Sequence, residues 1–453
     1  MRDLFLDFIN DPFLFIITFV CIINYVILTI IYSRKNLFRK RVEFVFIIFF
    51  LFCNSKVQMS PIQHWRLDYF VQPPQNELIT YSSLLIYLVY SFTFLIEKKN
   101  ASILLLSIFK SIASNPFVWG VSAIGAVTGL LSDTPVYAVK AGFLLIFINL
   151  FATHVSTQCS WCSVIDLFKI NTSLICFLSL FIRQRTNFTT EGGGLAGITS
   201  SKNQLGSLAA LGLILWLLTI DINKLTVKSL LIYLLGIGCT LYALIDARSG
   251  GAIVASITSL SFMVIIFFLK KIKGIREKNS FVSFLFAALL LIGIVMISNL
   301  EFFLGLIGKT PTLTGRTAFW PEIIEAAWQK QWIGYGLFGF WQSWRGPDNP
   351  ALSWLSATEW IPPSAHQGFL DTWLQLGFLG LTILIISIVI TCSQAVSNYF
   401  SQQNSKYAVF PLVLILFTLI SNTYETHFLS FNFTWIAFVI ISGKLSLEQK
   451  PSN

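Results

Sequence analysis

Charge is what this chain has least of. Only 11% of its 453 residues are Asp, Glu, Lys or Arg, against about 25% in a soluble domain, and mean hydropathy is +0.73. That scarcity excludes a water-soluble globular enzyme. Short segments of alternating hydrophobicity are missing too, which excludes a transmembrane β-barrel. No internal or inverted repeat is visible. The seven cysteines (Cys21, Cys53, Cys159, Cys162, Cys176, Cys239, Cys392) fall mostly within or beside apolar runs. None lies in the one long loop, so no disulfide framework is indicated. A cleavable signal is not expected, because Phe13–Tyr32 is span-length rather than about 7–15 residues and no small-x-small site follows it. Histidine is rare as well, with four in the chain.

What is present is a succession of apolar runs, each long enough to cross about 30 Å of hydrocarbon as a helix. They fall near 13–32, 42–53, 80–96, 115–131, 135–153, 168–182, 204–219, 229–245, 251–269, 280–298, 367–391, 407–421 and 428–442. Segment 42–53 is short for a span, and 101–113 reads as an interfacial helix. The expectation is an all-α polytopic membrane protein of about 12–13 transmembrane helices with one large loop containing short helices. It divides as residues 1–298, N-terminal helices, 299–365, a Trp-rich loop, and 366–453, C-terminal helices, within one integrated membrane domain.

The net charge of +10 needs no nucleic acid to explain it. Arg34, Lys35, Arg39, Lys40 and Arg41 form one basic cluster, and Lys270, Lys271, Lys273, Arg276 and Lys278 another. Placing these and the pairs Lys98/Lys99, Lys224/Lys228 and Lys444/Lys450 in the cytoplasm agrees with the spans. Three connections then face outward: Arg183–Asn203, Asp246–Gly251 and Asn299–Ala365. In a chain with so little loop, function is expected there.

The long loop holds seven of the thirteen tryptophans, Trp320, Trp328, Trp332, Trp341, Trp344, Trp354 and Trp360, together with Tyr335. Indole rings anchor proteins at membrane interfaces; they also stack on sugar rings. Thr317–Lys330 has the periodicity of an amphipathic helix, with Trp320, Ile324 and Trp328 on one face and Pro321 tolerated in the first turn. Arg316 just before it is either part of an anion site with the free helix amides or a solvated loop arginine. Arg248, in Asp246-Ala247-Arg248-Ser249-Gly250-Gly251, is disfavoured on the outer side. It either snorkels or pairs with Asp246, or it binds an anionic head group. Lys202 and Asn203 either line a polar cavity or, for Asn203, cap the next helix.

His366 stands where the loop meets an apolar segment. With Ser364 as N-cap it falls in the first helical turn, where the positive helix end favours a neutral imidazole suited to a general base. The alternative is a polar residue at the interface with no chemical role. Gly377 and Gly380 are expected to let this helix pack tightly on another and hold His366 in place. Glu425 and His427, in the last outer loop, either approach the same site or form a polar turn. Cys159-Ser160-Trp161-Cys162 with His154 offers too few ligands for zinc, so no metal site is expected.

His366-Gln367, nine residues, then Gly377-x-x-Gly380 resembles the H-[N/S/Q]-x9-G-x-x-G signature of the O-antigen ligases. Leu313-Thr314-Gly315-Arg316-Thr317, followed by Trp320 and Gly334-Tyr335-Gly336, looks like the exopolysaccharide-polymerase branch of that superfamily. Gly197…Lys202-Asn203…Gly206 and Arg248-Ser249-Gly250 are similar to its other outer motifs. The resemblance implies an inverting, metal-independent glycosyltransferase of the bacterial inner membrane, with its site facing the periplasm and no cofactor. The donor would be an oligosaccharide on polyprenyl (undecaprenyl) diphosphate. The acceptor would be another glycan or lipid A–core. Membrane lipids and a chain-length regulator are the further partners it implies, and nucleic acid is not among them. His366 would take the acceptor proton, and Arg316, Arg248 and Lys202 would hold the diphosphate. Asn203, Gln367, Trp320, Tyr335 and Glu425 would line the substrate. The rival reading is a multispan transporter or flippase of lipid-linked glycans.

Overall fold

The computed structural model describes residues 36–55, 98–183, 185, 193–221, 225–269, 279–298, 316–341, 364–401 and 407–448. Spans expected at 13–32 and 80–96, and the loop residues Trp344, Trp354 and Trp360, lie outside these. The described helices are α1 (Asn36–Cys53), α2 (Lys98–Ser114), α3 (Pro116–Gly129), α4 (Pro135–Gln158), α5 (Trp161–Phe181), α6 (Lys202–Thr219), α7 (Val227–Ala247), α8 (Gly250–Leu269), α9 (Asn279–Ser298), α10 (Arg316–Gln329), α11 (Gly368–Ser401), α12 (Phe410–Ser421) and α13 (Phe433–Glu448). Among the described residues β structure is limited to isolated bridges, such as the one between Arg185 and Leu195. The chain is an all-α polytopic membrane protein. Five of the described helices are long and apolar enough to cross a bilayer by length and composition: α4, α5, α7, α8 and α11.

Residues 102–114 and 116–129 meet at 95°. Pro116 supplies no amide hydrogen to continue the α2 ladder, and Asn115 leaves helical geometry at φ −146°, ψ 79°. Its buried side chain donates to the Ser387 carbonyl (3.1 Å) and the Thr391 hydroxyl (3.0 Å), which fixes the bend against α11. The stretch expected to lie at the interface thus runs across the helix that follows it.

Hydrophobicity does not sort helices inside a membrane, because lipid is as apolar as leucine; packing and buried polar contacts do. α7 accordingly turns Leu231, Leu234, Leu235 and Ile245 outward. α12 is buried along its whole length, and α13 from Phe433 to Ser446. Aromatic rings interlock around them: Phe168 meets Phe433 edge-on at 5.1 Å, and Trp435 stacks on Phe438 at 5.5 Å. At one end of the bundle Lys444 donates to the Cys159 carbonyl (2.7 Å), and Glu448 accepts from the Trp161 indole (2.7 Å). There, too, His154 meets Glu43 at 3.0 Å, tying α4 to α1. The described parts of the loops expected to face outward gather at the opposite end.

Candidate functional site

The site is built on a helix that breaks. Within α11, Gly377 adopts φ 65°, ψ −170°, a backbone region that only glycine enters readily. A break inside a membrane helix frees amides and carbonyls that lipid does not satisfy. The turn after α10 satisfies them here. Tyr335 N donates to the Leu374 carbonyl (3.0 Å) and Gly336 N to the Gln375 carbonyl (2.9 Å); Phe378 N donates to the Gln331 carbonyl (2.7 Å). The fit is too close for side chains on either strand. A Cβ at Gly377 would lie 2.2 Å from the Trp332 carbonyl carbon, and one at Gly334 (φ 68°) 2.3 Å from that of Gln375. Gly377 therefore does not serve helix-on-helix packing, as the sequence reading had it. It opens α11 so that the Gly334-Tyr335-Gly336 turn can seal the gap. The expected span at 367–391 becomes a half-helix, 368–376, and a longer segment beyond the break.

The half-helix carries His366 at its head, but not in its first turn. α11 begins at Gly368, and His366 precedes it with φ 51°, a left-handed conformation that costs a non-glycine residue roughly 1–2 kcal/mol. Ser364 does not cap the helix; its hydroxyl accepts from His366 N (3.3 Å). The capping acceptor is the Gln367 side-chain carbonyl, which takes the Leu370 amide. Neighbours hold the strained turn. Trp320 Nε1 donates to the Ala365 carbonyl (3.0 Å), and Gly368 N donates to the Asn422 carbonyl (2.7 Å). His366 Nδ1 lies 2.9 Å from Glu425 Oε1, and both side chains are largely buried, at 15% and 10% exposure. A carboxylate on Nδ1 fixes the ring and sets the proton there, so Nε2 carries the lone pair. That is the geometry of a base held by an orienting acid.

Arg248 ends α7 in a second left-handed turn, φ 52°, ψ 35°, and its side chain is exposed. The preceding outer loop converges on it. Leu195 N donates to the Asp246 carbonyl (2.8 Å), and Asp246 is paired with Arg185 (2.8 Å) rather than with Arg248. Asn203 Oδ1 accepts from the Ser249 hydroxyl (3.2 Å). Ser201, not Asn203, caps α6, taking the Gln204 amide at 3.2 Å, and Lys202 opens that helix. The Glu425 loop covers the same place. The Tyr424 hydroxyl lies 3.0 Å from that of Ser207, and its ring rests on Gly251.

Arg248, Lys202, Asn203, Glu425 and His366 thus share one end of the bundle. Arg316 is the first residue of α10, as expected of a residue at a helix N-terminus; its side chain is outside what is described. Trp320 and Tyr335 act in the frame: Trp320 pins Ala365, and the Tyr335 hydroxyl donates to the Ala326 carbonyl at 3.2 Å. Burial pushes the Tyr335 phenol above its usual range, aided by nearby Asp133. Two residues of the frame escaped the sequence reading. Asp371 and Gln375 lie buried on the half-helix, joined at 3.0 Å. A carboxylate five residues past His366 in an apolar run was the available signal, since ionisable groups inside membranes are costly and kept for a role.

Comparison with known proteins adds to this geometry. Residues 235–385 match the O-Antigen ligase family. The exopolysaccharide production protein ExoQ of Rhizobium meliloti (strain 1021) is 26% identical over 203 residues, covering 43% of this chain and 45% of ExoQ. The chain therefore spans less than half the length of that relative. The matched family segment takes in Arg248, α10, the Gly334–Gly336 turn, His366 and Gly377. Family and relative together support the O-antigen ligase and polymerase superfamily.

Proposed function

From an O-antigen ligase segment spanning residues 235–385, we propose that this protein is a membrane glycosyltransferase. It moves a glycan from polyprenyl diphosphate to a sugar hydroxyl at the periplasmic face of the bacterial inner membrane. The observation that carries the reading is the His366–Glu425 pair at 2.9 Å, presented beside the Arg248 turn. The acceptor oxygen attacks the anomeric carbon as its proton passes to His366 Nε2. The bond from that carbon to the diphosphate oxygen breaks, its electron pair leaving with the polyprenyl diphosphate, and the centre inverts. Glu425 steadies the imidazolium that forms. Arg248 and Arg316, with Lys202, neutralise the departing charge, where a low dielectric makes such contacts strongest. The residues proposed for this chemistry bind no metal, and the reaction proceeds in chelator.

One observation favours the rival transporter reading. Broken helices are a common device of transporters, whose half-helix ends line a substrate cavity. In this protein the break is filled by the chain's own backbone through the Gly334–Gly336 turn, which argues for a fixed platform over a moving gate.

The Leu313–Thr317 run and the likeness to an exopolysaccharide production protein favour a polymerase, with a second lipid-linked glycan as acceptor. Deleting the gene and analysing the lipid-linked pool tests this. Accumulated single repeat units are the expected result. Full-length polymer left unattached would assign a ligase, and an unchanged pool would contradict both.

A further inference from the structure

We infer that Asp371 is a positioning residue: its carboxylate fixes the segment that presents His366 to Glu425, and ties it to the Trp-rich loop. The inference rests on His366 being the base. Asp371 is 2% exposed, and an ionised group buried that deeply is costly unless hydrogen bonds replace its water. It has them. Oδ1 accepts from the Trp341 indole at 2.7 Å and from the Ala365 amide at 3.3 Å, while Oδ2 accepts from the Gln375 amide group at 3.0 Å. The Thr426 hydroxyl adjoins the same carboxylate without completing a hydrogen bond.

The sequence neighbours of these partners give the arrangement its meaning. Ala365 precedes His366 and Thr426 follows Glu425. Trp341 closes the turn that seals the helix break. Gln375 passes the connection on, its Oε1 accepting from Phe338 N at 2.8 Å. A role in stability alone is a weak explanation, because well-packed apolar residues often replace buried ionic groups without loss of stability. The carboxylate instead holds the residue before His366 by its amide, as Trp320 holds it by its carbonyl. A shift of about 1 Å at a base lowers rate by roughly 100-fold.

The test is glycan transfer in membranes of the host strain, using their own lipid-linked glycan, with Asp371→Asn and Trp341→Phe each replacing the native protein. D371N turns an amide donor towards existing donors; W341F removes one donor and keeps an aromatic ring. Expected are an initial rate down about 10–100-fold in D371N and a smaller fall in W341F. KM for the lipid-linked donor stays unchanged, and both variants alter the acid limb of the pH–rate profile. W341F carries the test if D371N does not fold. Full rates in both variants would overturn the inference. So would losses that track the amount of folded protein while the pH profile is unmoved. The base reading fails separately, if His366→Ala retains full activity with Asp371 untouched.

Discussion

At the residue scale, the informative object is a pair and not a single histidine. His366 alone was legible as a rare polar residue at a membrane edge, and its spacing to Gly377 suggested a family. Its partner was only one of two readings for Glu425, because 59 residues separate the two and no local pattern links them. The conformation was misread: Ser364 before a helix reads as a cap, yet the chain turns left-handed at His366, and a turn enforced by tertiary contacts leaves no mark in sequence. The pair makes its own prediction. Glu425→Gln keeps the size and one acceptor but removes the charge that steadies a protonated ring. Initial transfer rates in E425Q are expected to fall by about 10²–10⁴, the range of general-base assistance, with membrane insertion unchanged. A rate equal to the native one would remove Glu425 from the mechanism.

At the element scale, the apolar runs among the described residues became helices, several of them extending five to ten residues beyond an expected limit. Polar punctuation explains why. Pro116, Pro135, Ser160 and Thr226 stand at helix starts, where proline and hydroxyl caps satisfy free amides. What periodicity concealed was the break at Gly377. The run from 368 onward is apolar and helix-forming throughout, so its period carries no interruption; a single glycine and a distant Gly-Tyr-Gly turn make one. Gly377→Ala is expected to cost more than about 1–3 kcal/mol, since a Cβ meets the Trp332 carbonyl carbon at 2.2 Å. Thermal unfolding in detergent checks this, through a lowered Tm and a diminished folded fraction. An alanine variant that melts with the native protein would show that the break tolerates a side chain.

At the scale of the whole molecule, the basic clusters sort the connections into two sets, and described residues from each set meet one another. Lys444, Cys159, Trp161 and Glu448 meet at one end. The Asp246 turn, the Asn203 loop, His366 and Glu425 meet at the other, although they are spread over about half the chain. Charge bias suggests which loops share a side. It says nothing of which loops touch, and contact is what makes a candidate site: His366, Glu425 and the Arg248 turn come from separate segments to one end of the bundle. The central claim is that His366 takes the acceptor proton there, beside cations that hold the leaving diphosphate. The most direct test is the initial rate of glycan transfer by His366→Ala, with Arg316→Ala beside it, in membranes where insertion of each variant is verified. Both variants are expected to lose transfer by at least about 100-fold while inserting normally. A His366→Ala protein that inserts and transfers glycan at the native rate would contradict it.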